Sequence, residues 1–112
     1  MLKKEVLRNR DDFSRIYRKG RSIGERYVVL FFMKNGLEYN RTAFLASKKV
    51  GNSVQRHRAT RLMKEAFRLS GQVIDPGYDL VIIARNSITE AGLSDVMRSL
   101  ETVFKKTRGV LM

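Results

Sequence analysis

Lys48–Arg68, KKVGNSVQRHRATRLMKEAFR, decides how the rest of this 112-residue chain is read. It holds seven Lys or Arg against one acid, Glu65, a local surplus of +6. Gly51-Asn52 is a break from which a helix can start, with Asn52 or Ser53 offering a side-chain oxygen to the first free backbone N–H groups. The spacing predicts a helix from about Val54 to Leu69. On a 3.6-residue wheel Ala59, Leu62, Met63, Ala66 and Phe67 fall on one side, while Arg58, Arg61, Lys64 and Arg68 collect on the other. A solvated charged face is the ordinary meaning of such a helix. Here the face is nearly all one sign, which repels itself unless an anion arrives, and it favours Arg, whose planar fork matches phosphate. A polyanion is the natural partner.

The whole chain agrees. Lys plus Arg is 23 against 11 acids, a net charge of +12, which is the footprint of a nucleic-acid binder. A polybasic membrane-surface protein is the other class that such a charge allows. No apolar run approaches the ~20 residues of a spanning helix, and the N-terminus MLKKEVLRNRDD lacks the apolar middle of a secretion signal. Zero cysteines exclude disulfides and thiolate metal sites, and one histidine excludes a histidine-cluster site. The expectation is a cytoplasmic protein forming one nucleic-acid-binding domain over residues 1–112.

Residues 1–10 are basic with few apolar groups and are predicted to form an extended arm. A helix follows from Asp11-Asp12 to about Lys19, its acids at the positive end, Arg18-Lys19 at the negative end, and Gly20 stopping it. Phe13, Ile16 and Tyr17 share a face. Ile16 is assigned to the core, whereas Phe13 and Tyr17 are open between packing and stacking on unpaired bases. Tyr27–Met33 is β-branched and aromatic, and Lys34-Asn35-Gly36 signals a hairpin returning over Tyr39–Ala46, whose faces are mixed. Ser70-Gly71 stops the basic helix, Asp75-Pro76-Gly77 turns, and Tyr78–Ala84 reads as a buried strand. A last helix starts near Thr89 or Ser94 and runs to about Lys106. Leu93, Val96, Met97, Leu100, Val103 and Phe104 form its stripe, and Lys105, Lys106 and Arg108 its C-terminal end. The class is α+β, an α-β-β-α-β-α sandwich with a small central sheet of three strands, or four if Arg21–Gly24 is one. By general rule the strand–helix–strand unit from Thr42 to Ala84 crosses over right-handed.

An enzyme in its own right needs an acid–base pair, a nucleophile or a metal cage. The acids are scattered, and the adjacent Asp11 and Asp12 do not face each other on a helix. His57 has no carboxylate partner in view, so a donor or stacking role toward RNA suits it better than a base. Gly51-Asn52 does not make a GxxxxGK phosphate loop. No protein-borne catalytic residue and no metal ligand is predicted.

SKKVGNSVQRHRATRLMKEAFR resembles the signature of the protein subunit of bacterial ribonuclease P. In that family Gly-Asn leads into an Arg-Asn-Arg core, a further basic pair and an apolar-basic helix. The chain departs at His57, where the family has Asn, and at Thr60, where it commonly has Lys; Arg56, Arg58 and Arg61 stay in register. The resemblance implies the fold of the second domain of ribosomal protein S5, with the rarer left-handed βαβ crossover. It also supplies chemistry: the RNA subunit, using Mg2+, hydrolyses precursor tRNA at the 5′ end of the mature sequence, and the protein, binding no cofactor of its own, assists. On that likeness Asn52, Arg56, His57, Arg58, Arg61, Lys64 and Arg68 meet the catalytic RNA, and Arg8, Arg10, Lys48 and Lys49 add phosphate contacts. Phe13, Tyr17 and Phe31 match the aromatic lining of the cleft that takes the single-stranded 5′ leader, which tips the first two toward stacking. A ribosomal or regulatory RNA-binding protein explains the charge and the aromatics as well. A DNA-binding helical module and a self-sufficient metal nuclease fit less, for want of a preceding helix at turn distance and of clustered acids.

Overall fold

The computed structural model describes residues 3–70 and 75–111. Helix α1 spans Arg10–Lys19, strands β1, β2 and β3 span Arg21–Gly24, Val28–Lys34 and Arg41–Leu45, helix α2 spans Ser53–Leu69, strand β4 spans Tyr78–Ala84, and helix α3 spans Leu93–Leu111. Short 3-10 turns occupy Lys3–Glu5 and Asn86–Glu90.

The sheet order is β1-β2-β4-β3. β2 is antiparallel to β1 and β4, while β3 runs parallel to β4 with Thr42 opposite Leu80 and Phe44 opposite Ile82. So Arg21–Gly24 is a strand, and the hairpin predicted at Lys34-Asn35-Gly36 does not form: β4 lies between β2 and β3. YDLVIIA is apolar enough to be covered on both faces, and a strand of that kind takes an interior place. Two asparagines hold its entry. Asn35 N–H donates to Gly77 O (2.9 Å) and its Nδ2 to Asp79 Oδ1 (3.0 Å), while Asn40 Oδ1 accepts from Tyr78 N–H (2.8 Å).

Side chains alternate across the sheet. Val28, Leu30, Phe32, Leu80, Ile82 and Ala84 meet Ala59, Met63 and Ala66 of α2 and Val96, Leu100, Val103 and Phe104 of α3. The opposite face is thinner: Ile16 of α1, fully buried, joins Leu7, Ala43 and Val81, with Phe13, Phe31, Met33, Leu45 and Ile83 only partly covered. Gly20 lets α1 close on β2, since a Cβ there would stand 2.5 Å from Ile16 O and 2.9 Å from Phe32 O. Residues 1–10 are not a free arm where they are described. Leu7 is buried and its N–H donates to Thr42 O (3.0 Å), because its side chain completes the thinner face.

Aspartate in a buried strand needs a partner, and Asp79 finds Arg41. Nε and Nη2 of Arg41 donate to its two oxygens at 2.8 and 2.7 Å, and Nη1 donates to Asp12 Oδ2 at 3.2 Å, tying α1 to the sheet. The hydrogen bond to Asp79 raises the Arg41 pKa against the opposing effect of burial. α3 starts at Leu93 and continues to Leu111, so Lys105, Lys106 and Arg108 lie within it and not at its end. Gly71, assigned to the stop of α2, lies outside the described residues; Ser70 caps α2 through its N–H to Ala66 O.

Candidate nucleic-acid interface

α2 begins where Gly51 allows it. Gly51 has φ +149, and a Cβ there would fall 1.8 Å from Gln55 Oε1. That oxygen is in use: it accepts from Asn52 N–H, while Asn52 Oδ1 accepts from Gln55 N–H, both at 2.9 Å. Asn52 and Gln55 thus form a reciprocal cap of the type that satisfies two orphan donors at once. Ahead of it Lys48 and Lys49 stand exposed on a turn whose Val50 is anchored in the core.

Each residue of a helix turns by about 100°, so Arg56 and Arg58 stand on opposite flanks of α2. His57, Arg61, Lys64 and Arg68 form the outward ridge between them, and all four are exposed. The flanking arginines are engaged. Arg58 donates from Nη1 to Ile88 O (3.3 Å) and from Nη2 to Ala91 O (2.7 Å), which fastens α2 to the turn before α3. Arg56 is half-buried; its Nη2 donates to Ser53 Oγ (3.2 Å), and its Nε is buried with no acceptor among the described residues. On the ridge Arg68 pairs with Glu65, the one acid of α2, whose carboxyl that hydrogen bond holds below its ordinary pKa.

On the thinner face Phe13, Tyr17 and Phe31 come together. Phe13 and Tyr17 are one helical turn apart with ring centroids at 6.4 Å and planes 25° from parallel; Tyr17 meets Phe31 edge-on at 5.1 Å. Tyr17 is 44% exposed, against 0% for Ile16 beside it. Partial burial raises the Tyr17 pKa above its ordinary value. Arg8 and Arg10, at the start of α1, are exposed.

An open groove of about 560 Å³ turns the outer edge of β3, between Val6-Leu7 and the Lys64, Phe67 and Arg68 end of α2. Ala43 and Leu45 in its wall belong to the aromatic face and Phe67 to the other.

A family model for ribonuclease P matches residues 1–108. The chain belongs to the ribonuclease P protein family. A ribonuclease P protein component from Caldanaerobacter subterraneus subsp. tengcongensis is 41% identical over 101 residues, 90% of this chain and 87% of that protein. The ribonuclease P protein of Staphylococcus aureus has a TM-score of 0.81 at 31% identity, covering 92% of this chain and 94% of its own. That of Thermotoga maritima has 0.80 at 33%, covering 91% and 96%. As a ribonuclease P protein component, the chain is the protein subunit that serves maturation of the tRNA 5′ end.

Within this ribonuclease P subunit most of the predicted residues form two groups, a cationic ridge with flanks on α2 and a three-ring ledge on α1 and β2, while Arg8, Arg10, Lys48 and Lys49 stand outside both. Sequence reasoning missed the tethers that hold these groups: Asn9, whose Oδ1 accepts from Asp11 N–H at 2.8 Å and caps α1, and the Arg41–Asp79–Asp12 cluster. Asn9 could have been found from its place just before Asp11-Asp12. Asp79 could have been flagged as a charge inside an apolar run, but nothing in the spacing names Arg41 as its partner.

Proposed function

We propose that α2 holds the catalytic RNA of ribonuclease P while the Phe13–Tyr17–Phe31 ledge holds the unpaired 5′ leader of precursor tRNA. His57, Arg61, Lys64 and Arg68 meet phosphates along the ridge, Lys48, Lys49, Arg8 and Arg10 extend the positive field, and Asn52, Arg56 and Arg58 fix the helix or take contacts at its flanks. Unpaired bases stack on the rings, which suits a leader of any sequence because every base has a π-face. The chemical step, hydrolysis of one phosphodiester, belongs in this reading to the RNA, which supplies it with Mg2+ of its own. The protein binds and aligns two RNAs, in the cytoplasm, with neither DNA nor membrane as partner.

The observation that carries the proposal is the pairing of a one-sign ridge with an exposed ring ledge in a chain of this family. The acids support the division of labour, since Asp12 and Asp79 are occupied by Arg41 and Glu65 by Arg68. Precursor tRNA incubated with protein alone, with catalytic RNA alone, and with both tests it. Cleavage is expected only in the presence of the RNA, with the protein lowering the salt that the reaction needs. Cleavage by RNA-free protein, lost on replacing an acid, overturns it.

A further inference from the structure

A second cluster of cations shares Lys49 with the approach to α2 and otherwise lies apart from both groups. Arg26, Lys49 and Arg85 line an open hollow of about 870 Å³ at one end of the sheet, together with Gly24, Glu25, Asn86 and Ser87. Far apart in sequence, Arg26 and Arg85 are brought together by two hydrogen bonds: Arg85 N–H donates to Tyr27 O (2.9 Å), and the Ser87 hydroxyl donates to Arg26 O. Both arginines are held in place without being neutralised. Arg26 lies over the Tyr27 ring, 5.2 Å from its centroid, and Arg85 Nη1 donates to Glu25 O at 3.4 Å. No carboxylate pairs with any of the three among the described residues, and Glu25, the acid in the wall, goes to Lys106 (3.5 Å).

Three cations around one hollow repel each other, and arginines preset by a ring and a carbonyl lose little side-chain freedom when an anion arrives. We infer that the Arg26–Lys49–Arg85 hollow is a phosphate-binding site that takes the sugar–phosphate backbone of RNA, a second anchorage apart from the α2 ridge. Its lining includes no aromatic ring, so it offers no platform for bases and suits the sugar–phosphate backbone instead. The inference rests on the RNA-binding reading above. Lys49 shares a turn with Lys48, so the site extends the positive surface from the start of α2 around the end of the sheet.

The chain has no cysteine, so a single Asn86→Cys substitution places one iron chelate at the rim of the hollow. Radical cleavage is then mapped in the assembled holoenzyme with precursor tRNA, each RNA end-labelled in turn. Cuts are expected near the hollow in one RNA, and the labelled strand tells whether the catalytic RNA or the precursor supplies the backbone. Arg26→Gln/Arg85→Gln should remove the cuts and lower the log–log salt slope of the affected binding step by roughly 1.4 to 1.8, two phosphate contacts' worth. Should that pair lower the melting temperature, Arg26→Gln alone decides, since it gives up a ring contact and no hydrogen bond; a drop of roughly 0.7 to 0.9 is expected. A chelate on His57→Cys, on the ridge, serves as reference. Cuts from the ridge and none from the hollow overturn this inference and leave the function standing; cuts from neither overturn both. An unchanged slope in Arg26→Gln also overturns the inference.

Discussion

Each face of the sheet carries a chain of three aromatic rings, and the two chains differ in what covers them. On the α2–α3 face Phe44 meets Phe67 edge-on at 5.5 Å and Phe67 meets Phe104 at 6.0 Å, with Phe104 3% exposed. On the α1 face Phe13, Tyr17 and Phe31 are spaced alike, but one ten-residue helix cannot roof the sheet as two longer helices do, and Tyr17 is left half open. Phe44, Phe67, Phe13 and Phe31 are all partly covered, so the two chains part at one ring each: Phe104 is core, and Tyr17 is a candidate platform. Coverage, and not aromatic character, separates packing from binding.

Breaking the covered chain has the largest expected effect. Phe104→Ala should lower stability by about 3 to 5 kcal/mol, as emptying a packed aromatic site does. Thermal unfolding measures it, and every RNA affinity should fall together as the folded fraction falls. A variant with an unchanged melting temperature would show that the α3 face is not the closed one.

The open chain should respond differently. Tyr17→Ala is expected to leave the melting temperature nearly unchanged and to weaken holoenzyme binding of precursor tRNA by about 1 to 3 kcal/mol, one stacked base's worth. Mature tRNA, with no leader to place, should bind as before. Adding Phe13→Ala sharpens the test because Phe13 is partly covered: the precursor-specific loss should grow, and some stability should go with it. Equal losses for precursor and mature tRNA, with a lower melting temperature, would make both faces packing and put the leader elsewhere.

The ridge and flank of α2 divide in the same way. Arg58→Ala removes two hydrogen bonds from a charged group to the carbonyls of Ile88 and Ala91, so a stability loss of roughly 1.5 kcal/mol is expected with little change in salt slope. Arg61→Ala, on the exposed ridge, should keep the melting temperature and take roughly 0.7 to 0.9 from the log–log slope for the catalytic RNA. The reverse assignment would make Arg58 the phosphate contact and its carbonyl bonds incidental.

These contrasts mark where the sequence is legible. The periods of α1, α2 and α3 are written in the spacing of Ile16, Met63 and Leu100, because a helix facing one core must repeat its apolar residues every three or four positions. The start of α2 was readable from Gly51-Asn52, since local backbone geometry and a short side chain suffice for it. Strand order was not. Lys34-Asn35-Gly36 looks like a hairpin until β4, more than forty residues on, inserts beside β2, and that outcome depends on which strand is apolar on both faces. Among the site residues, that α2 carries a cationic face could be seen. That Arg58 is turned into a tether, and that Arg26 and Arg85 converge, depends on where the 86–90 turn lies, which no local pattern records.

The smallest effect concerns Glu65, the one acid on the cationic helix, whose carboxylate holds Arg68. If the ridge works by its unpaired charge, removing that partner should improve it. Glu65→Gln is expected to raise the salt slope for the catalytic RNA by less than one full contact, below roughly 0.7 to 0.9. The melting temperature should hardly move, because the pair lies at the surface and is screened by solvent. Acid should not mimic the substitution. The Glu65 pKa is lowered by its hydrogen bond to Arg68, so the pair is intact above the ordinary carboxylate range and is lost only as pH falls through the lowered value. Binding at about pH 5, still above that range, should therefore show Glu65 ionised and Arg68 held, while Glu65→Gln shows it released. A slope that falls in Glu65→Gln would mean that Glu65 positions Arg68 for its phosphate and does not compete with it. The ridge would then share with the flank arginines a dependence on partners that set them in place.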